Sequence, residues 1–377
     1  MILRRLRLTD VRSYATLDWR PGPGLNVIVG ANGSGKTNLL EAIAMVCGMR
    51  LRPIVREADL IRRGAGAMGI VARLERDAAR GEDVREHDVA FRIGGRSRRL
   101  TRDDNPARPG QDGMPTMVPF TPDDLDMVKG GPEARRQLLE RDFAQLSLAH
   151  RDLLRRYGRA VVQRNAVLRA AADGTAREDA LPVWDESVAR LGASVQAWRA
   201  RTVAAMAPRA SAAYDRVAAR ASRFALIYRP RLDLRPDGAG GTHADLDDPR
   251  RLLASLHAAR PAELARGYTL VGPHRDDLGF TLDGNEMRGF ASQGEERTAV
   301  IAVKLAFLEH LYAERLERPL LALDDVLSEL DERRQEHLLS EANPFQTFLT
   351  TAVSVPEVAA TVWRTVGGGL REWRAGG

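Results

Sequence analysis

Residues 25–48 read LNVIVGANGSGKTNLLEAIAMVCG. A short apolar run leads into Gly30-Ala31-Asn32-Gly33-Ser34-Gly35-Lys36-Thr37, which fits G-x-x-x-x-G-K-[ST] at every position. Leu39, Leu40, Ile43, Ala44 and Cys47 then recur at helical spacing up to Gly48. Strand, glycine-rich turn and helix in this order belong to an α/β sheet and are the context a phosphate loop requires. The glycines let backbone N–H groups turn inward and approach β- and γ-phosphates. The helix that starts near Lys36 adds its positive end. Lys36 is a flexible point charge for the β/γ oxygens, and Thr37 offers its hydroxyl to Mg²⁺.

Such a loop needs an acid to hold the metal. In PLLALDD, an apolar strand from Leu320 to Leu323 delivers Asp324 and Asp325 at its carboxyl end, where ligands sit in open α/β sheets. Asp324 is the expected Mg²⁺ partner, directly or through water, and Asp325 is placed to orient or deprotonate an attacking water. Adjacent acids after a strand also serve as helix caps; coupled to a full phosphate loop, the catalytic reading prevails.

Between these two motifs the chain changes character. Strand-like pieces over residues 66–100 suggest an antiparallel patch, and 103–116 is a Pro/Gly/Asp-rich loop. From Pro132 to about Ala172, Leu139, Phe143, Leu146, Leu153, Tyr157 and Val161 keep helical steps; a second stretch runs from about Leu181 to Ser222. At about 40 residues, each would span about 60 Å. The pair is either a projecting antiparallel arm or part of a compact bundle. Residues 235–250 read as a polar loop. A helix after Gly294, another near 332–341 and the strand FQTFLTTAV return the chain to α/β, and a last amphipathic or strand segment closes it. The chain is therefore α/β at both ends with a mostly helical middle.

Composition narrows the partners. The net charge is +6, and residues 1–120 hold 21 Lys+Arg against 14 Asp+Glu. Arg50, Arg52, Arg56, Arg62 and Arg63 form one basic cluster, and Arg96, Arg98, Arg99 and Arg102 another; each is either a phosphate-contacting surface or a solvated face. Only three lysines occur, Lys36, Lys129 and Lys304, so each can mark a place where a forked guanidinium does not fit. Cys47 is the single cysteine, read as a buried small hydrophobe in a reducing compartment. No apolar run is long enough for a membrane span and MILRRLRLTD has no apolar signal region, so a cytoplasmic protein is expected.

The stretch ASQGEERTAVIAVKLA (residues 291–306) opens a helix with Ser292-Gln293-Gly294-Glu295, a capping box with Ser at the N-cap and Glu three residues on. Gly294 at the second helical position costs about 1 kcal/mol against Ala, so close approach of another molecule is the expected compensation. A phosphate loop, then S-x-G-[EQ] opening a helix, then LALDDVLSELD resembles the ATP-binding-cassette ATPases of the SMC-like head type. LRLTDVRSYATLDW, PFTPDDLDMVKGGPEARRQLLERDF and YTLVGPHRDDLGF extend the likeness to the branch of bacterial DNA replication and repair proteins.

That resemblance implies an ABC-type P-loop ATPase head, a mixed sheet with helices, and a second, mostly helical lobe. Residues 1–118 and 318–377 would form the ATPase lobe. Residues 119–317 would carry the helical arm (about 133–222) and the signature motif. It implies ATP sandwiched between two protomers: Lys36, Thr37, Asp324 and Asp325 act from one, while Ser292 and Gly294, with Glu295 and the helix end behind them, meet the γ-phosphate from the other. Ser328-Glu329-Leu330-Asp331 resembles the family's D-loop. There are departures: Gln293 replaces the middle residue of S-G-G, VPFTPDD has no Q-loop glutamine, and Thr350-Thr351-Ala352 stand where a switch histidine is expected. Asp325 stands in for the usual glutamate, moving the carboxylate by roughly 1.5 Å, one carbon–carbon bond. A misplacement of about 1 Å can cost 10²-fold, so slow turnover is expected.

The implied function is an ATP-dependent DNA-binding switch of recombinational repair and replication. ATP closes a homodimer, the dimer grips DNA at single-strand gaps and helps load recombination factors with RecR- and RecO-type mediators, and slow hydrolysis releases it. The rival is the nucleotide-binding subunit of a membrane transporter, which calls for the missing glutamine and histidine and no helical insertion. A structural SMC clamp would need far longer coiled coils. VGPHRDDL (residues 271–278) carries no derivable chemistry; His274 with Asp276 could polarise a nucleotide or partner group, or the stretch is a turn after a strand.

Overall fold

Alternating apolar and polar residues make Ile2–Val11 a strand, β1, which pairs antiparallel with β2 (Tyr14–Trp19). In the computed structural model, the described residues are 1–51, 56–76, 85–95, 97–174, 178–232, 246–352 and 360–373. Two units form: Met1–Leu125 with Phe307–Gly377, and Asp126–Ala306. Further strands of the first are β3 (Leu25–Val29), β4 (Ala67–Glu75), β5 (Glu86–Gly94), β6 (Ser97–Arg102), β7 (Asn105–Pro106) and β8 (Met117–Phe120), with helix α1 at Lys36–Val46. The other unit holds α2 (Pro132–Gln137), α3 (Leu148–Ala172), α4 (Leu181–Ala218), β9 (Phe224–Arg229), α5 (Pro249–Arg266), β10 (Asp277–Leu282), β11 (Asn285–Glu286) and the start of α6 (Gln293–Arg315). From Phe307 the chain belongs to the first unit again, with β12 (Leu320–Asp324), α7 (Glu332–Ala342), β13 (Thr347–Thr351), β14 (Thr361–Val366) and β15 (Gly369–Trp373).

The first unit stacks two six-stranded sheets on α1. One is antiparallel, in the order β2-β1-β4-β5-β6-β7; the other runs β15-β14-β3-β13-β12-β8, with parallel pairing from β14 to β8. The helix is apolar nearly all round, as an element covered on both sides must be, and Leu39, Leu40, Ile43, Ala44 and Cys47 are all buried. Burial also pushes the Cys47 thiol up, so it stays protonated. Each large core side chain contributes about 1.5–3 kcal/mol. The chain ends are tied by Gln346, whose side chain accepts from Leu3 N (2.6 Å) and donates to Leu3 O (3.0 Å) and Gly22 O (2.7 Å). Trp19 stands edge-on to Phe348 and Trp363, with ring centroids 5.6 and 5.7 Å away.

In the other unit, the expected continuous helix from Pro132 to Ala172 is broken. After α2 the chain winds through a π turn (Leu138–Asp142) and a short 3-10 turn, and Ser147 then goes extended (φ −154°, ψ 135°) to cap α3. The apolar period runs unbroken across this joint, so it hides the Ser147 cap. The arm is also not free: α3 and α4 pack together and against α5, burying Tyr157, Val161, Val188, Val195, Leu252 and Leu256 in one cluster, so the compact-bundle alternative holds. Strand β9 packs on α4 and pairs with β10, and β10 with β11; none of these strands, nor α5, stood out in the sequence. Most of the expected loop 235–250 lies outside the described residues. Lys304 is buried with Nζ 3.2 Å from Asp142 Oδ2, a site for a compact ammonium. Burial alone would raise the Asp142 carboxyl, but Arg141 and Lys304 outweigh it and hold it low. Among the described residues, no helix is long and apolar enough to cross a membrane.

VGPHRDDL is a buried hub that precedes a strand rather than following one. His274 Nε2 lies 3.1 Å from Thr269 O, which only accepts; Nε2 therefore carries the proton and Nδ1 accepts from Tyr157 Oη at 2.8 Å. Asp276, fully buried, accepts from Gln196 (2.9 Å), Arg231 N (2.7 Å) and Tyr228 Oη. Arg135 grips Asp277 through two bonds of 2.6 and 2.9 Å. These side chains stitch α2, α3, α4, β9 and β10 together, so His274 and Asp276 are structural.

His150 gives this unit an acid sensitivity. Its ring stacks on Trp198 at 3.4 Å between centroids, neither ring nitrogen has a hydrogen-bond partner among the described residues, and burial, reinforced by Arg199, lowers its pKa to about 3. The unfolded chain binds this proton below about pH 6.5 and the folded one does not until far lower. Stability is therefore lost as pH falls from about 6.5 toward 3, by about 1.4 kcal/mol per pH unit for this group. In urea unfolding, His150→Phe is expected to remove that slope; equal slopes in both proteins would refute the assignment.

Candidate functional site

The phosphate loop sits at the carboxyl end of β3, and its glycines are there for two separate reasons. Gly33 (φ +80°) and Gly35 (φ +101°) adopt left-handed backbone that side chains resist. Gly30 is required by packing, since a Cβ there would lie 2.0 Å from Thr365 Oγ1 on β14 and 2.6 Å from Ser34 Oγ. Tyr14, fully buried, donates from its hydroxyl to Gly35 O at 3.1 Å and so braces the start of α1; burial raises its pKa to about 12. Lys36 is 7% exposed, and its ammonium donates to the loop's own carbonyls at Gly30 (2.6 Å) and Ala31 (3.1 Å). Ser34 Oγ is buried with no partner among the described residues. A buried ammonium, an orphaned hydroxyl and backbone turned open at Gly33 form a cradle of donors, which fits the phosphates of a nucleotide.

The fold brings β12 beside this cradle. Thr37 Oγ1 donates to Asp324 Oδ1 at 2.9 Å, across 287 residues of sequence. The same oxygen accepts from Thr350 Oγ1 on β13 at 2.8 Å, because Asp324 and Thr350 are register partners. Thr350, Tyr14 and Thr365 are the contributors that sequence reasoning missed. Thr350 stands where the sequence pattern calls for a histidine; its role depends on strand order, which no local signal carries. Asp325 has left-handed backbone (φ +57°) and donates from its N–H to Thr350 Oγ1 at 3.0 Å. Burial raises its carboxyl above the usual range; Lys36 pulls it down, while Asp324 and Glu329 add to the rise. Ser328 Oγ donates to Asp325 O (2.8 Å), and Asp331 caps α7 by accepting from Arg334 N (3.0 Å).

Among the described residues, no group of three or more His, Cys, Asp or Glu is gathered to hold a metal. One carboxylate and one hydroxyl beside a phosphate cradle suit Mg²⁺, which keeps waters and substrate phosphates as its other ligands. Asp324 and Thr37 fit that pattern.

Ser292, Gly294 and Glu295 lie in the other unit, at the start of α6. The capping box is formed: Ser292 N and Oγ donate to Glu295 Oε2 at 2.9 and 2.8 Å, and Glu295 N donates back to Ser292 Oγ at 3.4 Å. Arg220 pairs with Glu295 at 3.0 Å, and these bonds, the Ser292 backbone N–H first, hold its carboxyl below the usual range. Ser292 and Gln293 are exposed, and Phe290, just before them, is 84% exposed. Of the basic clusters, Arg52 and Arg96 lie outside the described residues. Arg62 pairs with Asp10 (2.7 Å), Arg102 donates to Asp112 O (2.8 Å) and Arg98 lies over the Phe91 ring.

The model of the RecF/RecN/SMC N-terminal domain matches residues 2–355. The chain is 36% identical over 356 residues to the DNA replication and repair protein RecF of Heliobacterium modesticaldum, covering 93% of this chain and 92% of that protein. The chain belongs to the RecF family. Its fold is similar to solved structures of the recombination mediator protein RecF-ATPrS and RecF-ATP in the RecFOR pathway, with TM-scores of 0.86 and 0.84. Each is 25% identical and covers 99% of this chain and 98% of that chain. This RecF-type chain therefore has the α/β ATPase-head fold with helical segments that its motifs implied, and the transporter reading is dropped.

Proposed function

We propose that this chain is a DNA replication and repair ATPase that uses ATP to close a homodimer on DNA. The observation that carries the reading is the bond between Thr37 Oγ1 and Asp324 Oδ1 beside the buried Lys36. The loop's N–H groups and Lys36 receive the β- and γ-phosphates, Lys36 exchanging its present carbonyl partners for phosphate oxygens. Thr37 and Asp324 would hold Mg²⁺, which would polarise the phosphoryl oxygens. Asp325 orients the attacking water and accepts its proton, helped by burial, which raises the carboxyl's affinity for a proton. With an aspartate in this role, turnover is slow and the ATP state long-lived.

Ser292, Gly294 and the N-terminus of α6 meet the γ-phosphate of a second copy. Glu295 is a positioning residue: a carboxylate would repel phosphate, but it fixes Ser292 while Arg220 offsets its charge. ATP need only favour the closed pair over the open one to act as a switch. The likeness to RecF of the RecFOR pathway supports binding at single-strand gaps or junctions, partnership with RecO- and RecR-type mediators, and a cytoplasmic, nucleoid-associated site of action.

Sizing by light scattering with and without ATP tests this. Wild type is expected to become a dimer with ATP. Lys36→Met should neither bind ATP nor dimerise, and Ser292→Arg should bind ATP yet stay monomeric. A wild-type chain that remains monomeric with saturating ATP would sink the shared-site mechanism.

A further inference from the structure

A cleft of about 560 Å³ opens in the unit 126–306, lined by Arg136, Arg231, Arg266, Arg275, Arg288 and Tyr268. Among the described residues its one acid, Asp277, is already bound in two places by Arg135, and the remaining wall arginine, Arg229, is paired with Glu286. The five other arginines come from separate segments: α2, the residues after β9, the last turn of α5, the VGPHRDDL turn and the residues after β11. None of them has a carboxylate partner among the described residues. Arg136 donates to the Asp276 carbonyl at 3.3 Å, and Arg275 Nε is shielded from solvent with no hydrogen-bond partner among the described residues. The Arg275 guanidinium lies 5.3 Å from the centroid of the Tyr268 ring, which is 39% exposed.

Like charges gathered in a concave wall repel one another, and an anion entering the cleft relieves that repulsion. Five guanidiniums exceed what a single phosphate can engage, whereas successive phosphodiesters supply one charge each. An exposed aromatic ring beside them offers a base a stacking face. We propose that this cleft binds single-stranded nucleic acid, with the arginines on consecutive phosphates and a base on Tyr268. The proposal rests on the DNA-binding reading above and places the contact here rather than on the N-terminal arginine clusters. It also accounts for VGPHRDDL: His274, Asp276 and Asp277 lock the turn that presents Arg275.

The test is fluorescence anisotropy of a labelled single-stranded oligonucleotide with the full chain, with ATP, across a salt series. Removing two phosphate contacts in Arg266→Ala/Arg288→Ala, both exposed positions, should flatten the slope of log K against log salt by about 1.4. Tyr268→Ala should weaken binding about tenfold at fixed salt. Arg266→Lys/Arg288→Lys should retain the wild-type slope, and thermal melting shows whether each variant is folded. Unchanged affinity and slope in folded variants would overturn the proposal, as would weaker binding of a free mononucleotide with the oligonucleotide unaffected. In either case ATP-driven dimerisation and DNA binding by the wild type would still stand, so the two failures are told apart.

Discussion

Asp324→Ala is expected to lower ATP turnover at least about a hundredfold while the chain stays folded. The Asp324 carboxylate is 6% exposed, and one of its oxygens receives both the Thr37 and the Thr350 hydroxyls. Its loss removes the only carboxylate bonded to Thr37 among the described residues and leaves two hydroxyls without their acceptor. A bound metal contributes several kcal/mol of transition-state charge stabilisation. Each 1.36 kcal/mol is a factor of about ten, so the expected fall is on the order of 10²–10³-fold. Steady-state phosphate release measures it. Thr350→Val keeps the metal ligand but loses its brace and the side-chain acceptor of the Asp325 N–H, so it should fall between Asp324→Ala and wild type. Turnover by Asp324→Ala within a few-fold of wild type would remove Asp324 from the metal role.

The second large effect is on stability. Arg164 is fully buried in the unit 126–306 and bonds Asp185 Oδ1 (2.8 Å), Glu263 Oε2 (2.7 Å) and Thr269 Oγ1 (2.9 Å). Both carboxylates are themselves 0% exposed. Arg164→Met keeps most of the volume but strands Glu263 without its charge partner and leaves Asp185 to Arg260 and the distant His257 (3.8 Å). Breaking a buried pair by removing one member costs about 3–5 kcal/mol, because the survivor stays desolvated. Urea unfolding should show a loss of that size, and adding Glu263→Gln should recover part of it by removing the stranded charge. A cost below about 1 kcal/mol for Arg164→Met would mean that the triad does not hold α3, α4 and α5 together.

Elements whose signal is local were legible. GANGSGKT between an apolar run and an apolar helix, LALDD closing a strand, and Ser292 with Glu295 all appear where their spacing places them. Two missed elements also had local marks: Asp248-Pro249 is an N-cap followed by proline at the first helical position of α5. Phe224, Leu226 and Tyr228 alternate on β9. Both were masked by neighbours, a polar stretch before α5 and a long helix before β9. The break before α3 was overridden the other way, since a single cap at Ser147 competes weakly with an apolar period that continues through it.

By itself, the sequence determined the chemistry at hand: a glycine loop shaped for phosphates, a lysine and a threonine at a helix start, paired acids after a strand, and a second capped helix start. Those properties depend on residues within a few positions of one another, where steric limits and hydrogen bonds act directly along the chain. Only the tertiary structure decided which of them share a site. Strand order set Asp324 against both Thr37 and Thr350, and β14 made Gly30 obligatory through Thr365. The same long-range packing turned His274 and Asp276 from candidate chemistry into scaffold, and drew arginines from five segments into one cleft. Such contacts join residues tens to hundreds of positions apart, and burial, which selects among them, has no local spelling.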